Sequence, residues 1–252
     1  VWIANRDGNS VTRFGLRENG QCIDRNGNGQ IDTSMGVNDI KPWSNASGAD
    51  TNGGVSTAQD ECIINYVRVS SSGTRHISVD RNNDVWVSGA YSGPNPGIFN
   101  LIDGLTGAIK RTEGPVGYGG YGGLIDRNDV IWSAGPNSLL RWDTSKPLTG
   151  PNGGNWIGFN YSQFGGYGLG IDGQGNVWNT DYDNGIIRKF ASDGTLLGTF
   201  GVGFGNAKGC AVDKNGDVWI AHSENGSTVG HLKNDGTFIG NVTVGSGPTG
   251  VA

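Results

Sequence analysis

The chain has 252 residues, 47 of them glycine and eight tryptophan, and a formal net charge of −5. Eight tryptophans argue for a packed core, because disordered segments are poor in aromatics, and modest acidity without a basic stripe excludes binding driven by nucleic-acid phosphates. No apolar run approaches the roughly 18 residues that a membrane helix needs, and no window carries the spacing of an amphipathic helix.

Val1-Trp2-Ile3-Ala4 has the same local setting as Val218-Trp219-Ile220-Ala221 and reads as a strand, with Arg6 just beyond it. Residues 16–61 then depart from every later pattern. Cys22 and Cys62 bracket this insertion, which suits a disulfide formed in an oxidising compartment. Three unpaired thiols, with Cys210, are the other reading, since spacing cannot assign connectivity. Inside lies Asp24-Arg-Asn26-Gly-Asn28-Gly29-Gln30-Ile31-Asp32. Oxygen side chains at positions 1, 3 and 5, Gly at 6, the Gln30 carbonyl at 7 and an acid at 9 are the opening of a Ca²⁺ loop, where a hard cation collects six to eight oxygens. Met35 stands where a bidentate Glu would close the site, so Asp39, Asp60 or Glu61 has to supply that carboxylate. The donor set predicts a structural Ca²⁺ held at about 10⁻⁴–10⁻³ M. An Asn/Gly turn closed by its own side chains is the competing reading.

From residue 74 the chain repeats. Asp80-x₅-Trp86, Asp126-x₅-Trp132, Asp172-x₅-Trp178 and Asp213-x₅-Trp219 recur at a period of about 40 residues, which marks a propeller or a solenoid. The unit beginning at Gly168 is the clearest. Four short apolar runs are separated by Asp-Gly-Gln-Gly-Asn, Asp183-Asn-Gly185 and Ser-Asp193-Gly194, the strongest short-range hairpin signals because their central residues tolerate φ > 0. Four strands and three tight turns make an antiparallel meander with two apolar faces, and radial stacking of such sheets is the propeller solution. The same frame fits 74–112, 119–160 and 207–244. In each unit the Asp accepts N–H groups of its turn, and the Trp packs between blades. The expectation is an all-β propeller of four-stranded antiparallel blades, one domain over 1–252, with 16–61 inserted in the first blade. Gly247-Pro-Thr-Gly-Val-Ala252 matches a first strand and Val1–Asn5 a second, so together they complete a fifth blade. The turn that would join them is missing. The alternatives are a clasp of free ends and a piece of a larger propeller with more blades.

The loops after second strands should gather at one mouth of the ring. They carry Arg6, Tyr91, Asp181, Asp183, His222 and Glu224, and His76 opens the first strand of its unit. A concave site with converging polar groups is the default binding location. No Ser/His/Asp set, HExxH or CxxC motif is present. The Gly-rich stretches 117–123 and 164–168 do not lie between a strand and a helix, so they fail the context test for a phosphate loop and read as close backbone approach near the axis.

Repeats of the form Val-Asp-x-x-Gly-x-Val-Trp-(Ile/Val)-(Ala/Ser), as at Val212–Ala221, resemble the virginiamycin B lyase-like and NHL-repeat propellers over about three-quarters of the chain. For the lyases, the resemblance implies paired histidines on first strands and glutamates after second strands, around a Mg²⁺ on the axis. Here only His76 stands at such a position; Leu124, Gly170 and Ala211 lie in the other first strands, and the second strands end without Glu. The Cys-x-Asp-x-Asn-x-Asn-Gly run with Trp43 and Glu61-Cys62 also resembles insertions of secreted bacterial propellers. The reading is a secreted or cell-surface binding or structural module stabilised by Ca²⁺, contacting protein or carbohydrate, within a larger surface assembly or alone. A lyase-like enzyme with a divergent central site is the alternative.

Overall fold

A computed structural model describes residues 1–6, 9–33, 35–38, 43–44, 55–56, 59–89, 97–162, 165–203, 205–223 and 226–251. The strands are β1 (Trp2–Asn5), β2 (Ser10–Phe14), β3 (Trp43–Ser44), β4 (Val55–Ser56), β5 (Ile63–Arg68), β6 (Thr74–Val79), β7 (Val85–Gly89), β8 (Phe99–Ile102), β9 (Ile109–Glu113), β10 (Gly122–Ile125) and β11 (Val130–Gly135). They continue as β12 (Ser138–Asp143), β13 (Trp156–Asn160), β14 (Gly166–Ile171), β15 (Val177–Asp181), β16 (Ile186–Phe190), β17 (Leu196–Gly201), β18 (Ala207–Val212), β19 (Val218–His222), β20 (Thr228–Leu232) and β21 (Phe238–Thr243). One 3₁₀ turn, Arg17–Asn19, is the only helical element among the described residues.

Four sheets are four-stranded meanders of the order β6-β7-β8-β9, β10-β11-β12-β13, β14-β15-β16-β17 and β18-β19-β20-β21. A three-stranded sheet, β1-β2-β5, precedes them, and β3 and β4 form a short parallel pair inside the insertion. The first sheet departs from the expected fifth blade. Among the described residues β1 pairs with β2 alone, and 249–251 form no strand. Instead the Thr249 carbonyl accepts the Gly209 N–H at 3.2 Å.

The repeat's Asp does what its position demands. Asp80, Asp126, Asp172 and Asp213 each accept N–H groups from the residues two and four further on, at 2.8–3.1 Å. The third residue after the Asp sits at positive φ: Asn83, Asp129, Gly175 and Gly216. Each tight first turn then delivers the Trp of the second strand to the face of the sheet.

The core lies between the blades. Trp86, Phe99 and Leu101 of one blade pack on Ile131, Leu140 and Trp142 of the next. Trp132 and Leu139 pack on Val177 and Phe190, and Trp178 and Ile187 on Val218 and Ile220. Val11 and Val67 meet Val85 and Ile102 in the same way. Trp86, Trp132 and Trp178 are fully buried, as an inter-blade role requires. Trp219 is half-buried and stacks on His231 of its own sheet, with ring centroids 4.0 Å apart.

Candidate functional site

The first strands β6, β10, β14 and β18 stand side by side around the axis, with β1 beside β6. Their glycines let the backbones approach: a Cβ on Gly122 would lie 2.6 Å from the Tyr167 carbonyl, and one on Gly168 2.3 Å from that of Lys208. Where these strands begin, they surround a cavity of about 470 Å³. Its walls come from all five antiparallel sheets, through Ala4 and Arg6, Thr74 and Arg75, Tyr121, Tyr167 and Gly209.

The side chains at this mouth form a connected arc. The Arg75 guanidinium lies over the Tyr121 ring, 4.1 Å from its centroid. The Tyr121 ring meets Tyr167 edge-on at 4.8 Å, and the two hydroxyls are 3.2 Å apart. Tyr167 stacks on Tyr182 at 5.7 Å, and the Lys208 ammonium sits 5.5 Å from the Tyr167 ring and 5.8 Å from the Tyr182 ring. Cation–π contacts of this kind hold long cationic side chains in fixed positions. Arg75, Tyr121, Tyr167 and Lys208 each stand five residues before a repeat Asp, at 80, 126, 172 and 213. That constant offset is the sequence signal that could have found them.

Of the residues expected at the mouth, Arg6 lines the cavity. His76 does not: it is wholly buried between β6 and the neighbouring blade. Its Nδ1 is 2.9 Å from Ser133 Oγ and its Nε2 2.9 Å from Ser78 Oγ, with Phe99 edge-on to the ring. Burial, partly opposed by a backbone hydrogen bond at Gly122, pushes its pKa down to about 3. An imidazole with both nitrogens engaged by hydroxyls does not fit a Mg²⁺ on the axis. Asp181 is also buried, paired with Arg188 at 2.5 Å and bonded by Asn184 Nδ2 at 2.9 Å. Asp183 is exposed on the following turn. His222 is buried at the end of β19, and desolvation lowers its pKa against a backbone hydrogen bond at Gly205. Tyr91 and Glu224 lie outside the described residues.

The insertion is anchored by the Cys22–Cys62 disulfide, with Cα atoms 4.4 Å apart. Cys210 is a buried thiol whose pKa burial raises to about 12. The Asp24 carboxylate accepts the N–H groups of Gly27 at 2.7 Å and Gly29 at 2.8 Å. The Asn28 amide donates to Asp32 Oδ2 at 2.7 Å, and the Asn26 amide points to the same carboxylate at 3.3 Å. Gln30 contributes its N–H to Asn28 Oδ1. Glu61 is buried and accepts the Asp32 N–H at 2.6 Å and the Arg25 N–H at 3.4 Å, so it braces the loop's backbone. Asp60 instead caps the Cys62 N–H at 2.9 Å, and Asp39 is outside the described residues. Among the described residues no three His, Cys, Asp or Glu converge as a metal cluster. The loop's offer is two carboxylates, two amides and a carbonyl. An amide presents its oxygen or its nitrogen to the same point by a half-turn of its last torsion. In this structure those amide oxygens accept the N–H groups of Asn28 at 2.9 Å and Gln30 at 2.8 Å, so the loop is an Asx turn closed by its own side chains.

Five antiparallel sheets stacked face to face around an axis define a β-propeller. Among solved structures the chain is similar to streptogramin B lyase, with 18% identity and a TM-score of 0.56 over 70% of this chain and 56% of that one. It is similar to virginiamycin B lyase from Staphylococcus aureus (16%, TM-score 0.56, 70% and 58%) and to hydrazine synthase from Kuenenia stuttgartiensis (9%, TM-score 0.55, 70% and 50%). At these identities the likeness is one of fold, and the chain spans little more than half the length of the lyases. No family model matches the sequence, and neither does any curated protein.

Proposed function

We propose that the protein is a non-catalytic binding module, secreted or displayed at a cell surface, that holds its ligand in the central funnel and is braced by a Ca²⁺ in the insertion. One observation carries the reading: five successive antiparallel sheets converge on a single cavity of about 470 Å³, within the size range of small-ligand sites. The disulfide supports an oxidising location. Carbohydrate or protein of the surrounding surface, within a larger assembly or alone, is the class of partner.

A panel of extracellular polysaccharides and surface proteins immobilised for binding tests this. Retention by the wild type and its loss in Tyr167→Ala, at unchanged melting temperature, is the expected result. Retention that ignores Tyr167→Ala places binding elsewhere. The names of the lyases of similar fold supply the rival outcome, turnover of virginiamycin B by the wild-type protein. For the cation, 10 mM Ca²⁺ should stabilise the chain by about 2 kcal/mol if the dissociation constant lies near 10⁻⁴–10⁻³ M. Asp24→Ala should abolish that gain, and an equal gain in the variant would remove the site from the loop.

A further inference from the structure

We infer that the funnel selects an organic anion, an acidic saccharide of one or two rings whose carboxylate is received at Thr74 and Arg75. The inference rests on the funnel being the binding site and adds the chemistry of what it takes. Three observations converge on it.

The first is charge. In a chain of net charge −5, the described residues lining the cavity include two guanidinium side chains, Arg6 and Arg75, and no aspartate or glutamate. Lys208 adds an ammonium at the far end of the tyrosine arc. Cationic side chains gathered at the rim of an open mouth raise the local concentration of anions.

The second is a polar group that the fold leaves unanswered. Thr74 lines the cavity, is 0% exposed, and its hydroxyl has no hydrogen-bond partner among the described residues. A buried hydroxyl in that state carries a desolvation cost that a ligand oxygen would relieve. The corresponding positions of the other units are Gly120, Gly166 and Ala207, so the hydroxyl is particular to this blade. It precedes Arg75 directly, which puts a neutral donor and a cation at one point of the rim. That pairing suits a carboxylate.

The third is shape. The rest of the wall is Tyr121, Tyr167, glycine backbone, Ala4 and a single larger aliphatic side chain, Leu169, so rings, hydroxyls and exposed peptide groups make up most of it. Such a surface offers hydrogen bonds to a hydroxyl-rich body and flat contact to its ring, and a deep apolar slot is missing among the described lining residues.

Titration calorimetry with digalacturonate and with a neutral disaccharide of the same size tests the inference. The expected result is binding of the acid, weakened by raising NaCl from 50 to 300 mM, with the neutral sugar at least about ten-fold weaker. Arg75→Gln should cost about ten-fold or more, Arg75→Lys should recover part of it, and Thr74→Val should cost a few-fold without lowering the melting temperature. Equal affinity for acid and neutral sugar, or indifference to Arg75→Gln, overturns the anion while leaving the funnel as a binding site. No heat with either sugar also overturns it. The funnel reading then stands or falls separately, on whether Tyr167→Ala abolishes retention on the polysaccharide and protein panel.

Discussion

His76 and Gly123 are complementary parts of one contact. A Cβ at position 123 would lie 1.7 Å from His76 Nδ1, so the glycine leaves the room that the imidazole fills. Gly123→Ala should therefore destabilise the chain by about 1–3 kcal/mol through overpacking, read as a lower urea midpoint with an unchanged slope. The same burial makes His76 a source of acid sensitivity. Its pKa falls from 6.5 to about 3 on folding, so the native state keeps it neutral while the unfolded chain takes up a proton below pH 6.5. Its contribution to stability is complete above pH 6.5 and is lost as pH falls toward 3, with a slope of about 1.4 kcal/mol per pH unit inside that window. His222 is shifted the same way by burial. Urea unfolding at pH 7 and pH 5 should show the loss in the wild type and a flatter dependence in His76→Gln, with a remainder from His222. An unchanged pH dependence in His76→Gln would show that the imidazole is not buried as described.

The first turn of each blade is the element that the sequence specifies most tightly. Its Asp ties two N–H groups, and the residue three further on bends back at positive φ. At Gly175 a Cβ would meet nothing within 4 Å, so the 86° φ alone decides the cost of a side chain there. Gly175→Ala should cost about 1–2 kcal/mol, measured by thermal or urea unfolding. A neutral result would mean that the turn adopts another conformation. The two N–H acceptors and the left-handed residue are local properties, and that is why the blades could be read from Asp-x₅-Trp before any coordinates. The four-stranded sheet β18-β19-β20-β21 over 207–243 agrees with the sequence frame 207–244 almost residue for residue. The first sheet is different. A fifth blade closed by both ends would need a pairing between residues far apart in sequence, which no local pattern encodes, and among the described residues β1 pairs with β2 alone.

At the scale of the whole molecule, the funnel was half legible. The Gly-rich stretches around 122 and 168 announced close backbone approach, and Gly122 and Gly168 do press on the next strand's carbonyls. Arg6 could be placed at the mouth from its position after a strand that recurs. Arg75, Tyr121, Tyr167 and Lys208 were passed over because each is ordinary in its own segment. Only stacking the blades brings them into one arc. His76 and Asp181 misled for the converse reason. Their polar side chains suit a site, but β6 and β15 turn them between blades, where Ser78 and Ser133 or Arg188 satisfy them. Hydrogen exchange of the whole chain, with and without saturating digalacturonate, tests the central claim most directly. The account predicts ligand-dependent protection at 74–76, 121–123 and 167–169, where the first strands begin, and none at the Asp turns of the opposite mouth. Protection confined to those turns or to the outer strands β9, β13, β17 and β21, or no protection anywhere, would contradict it.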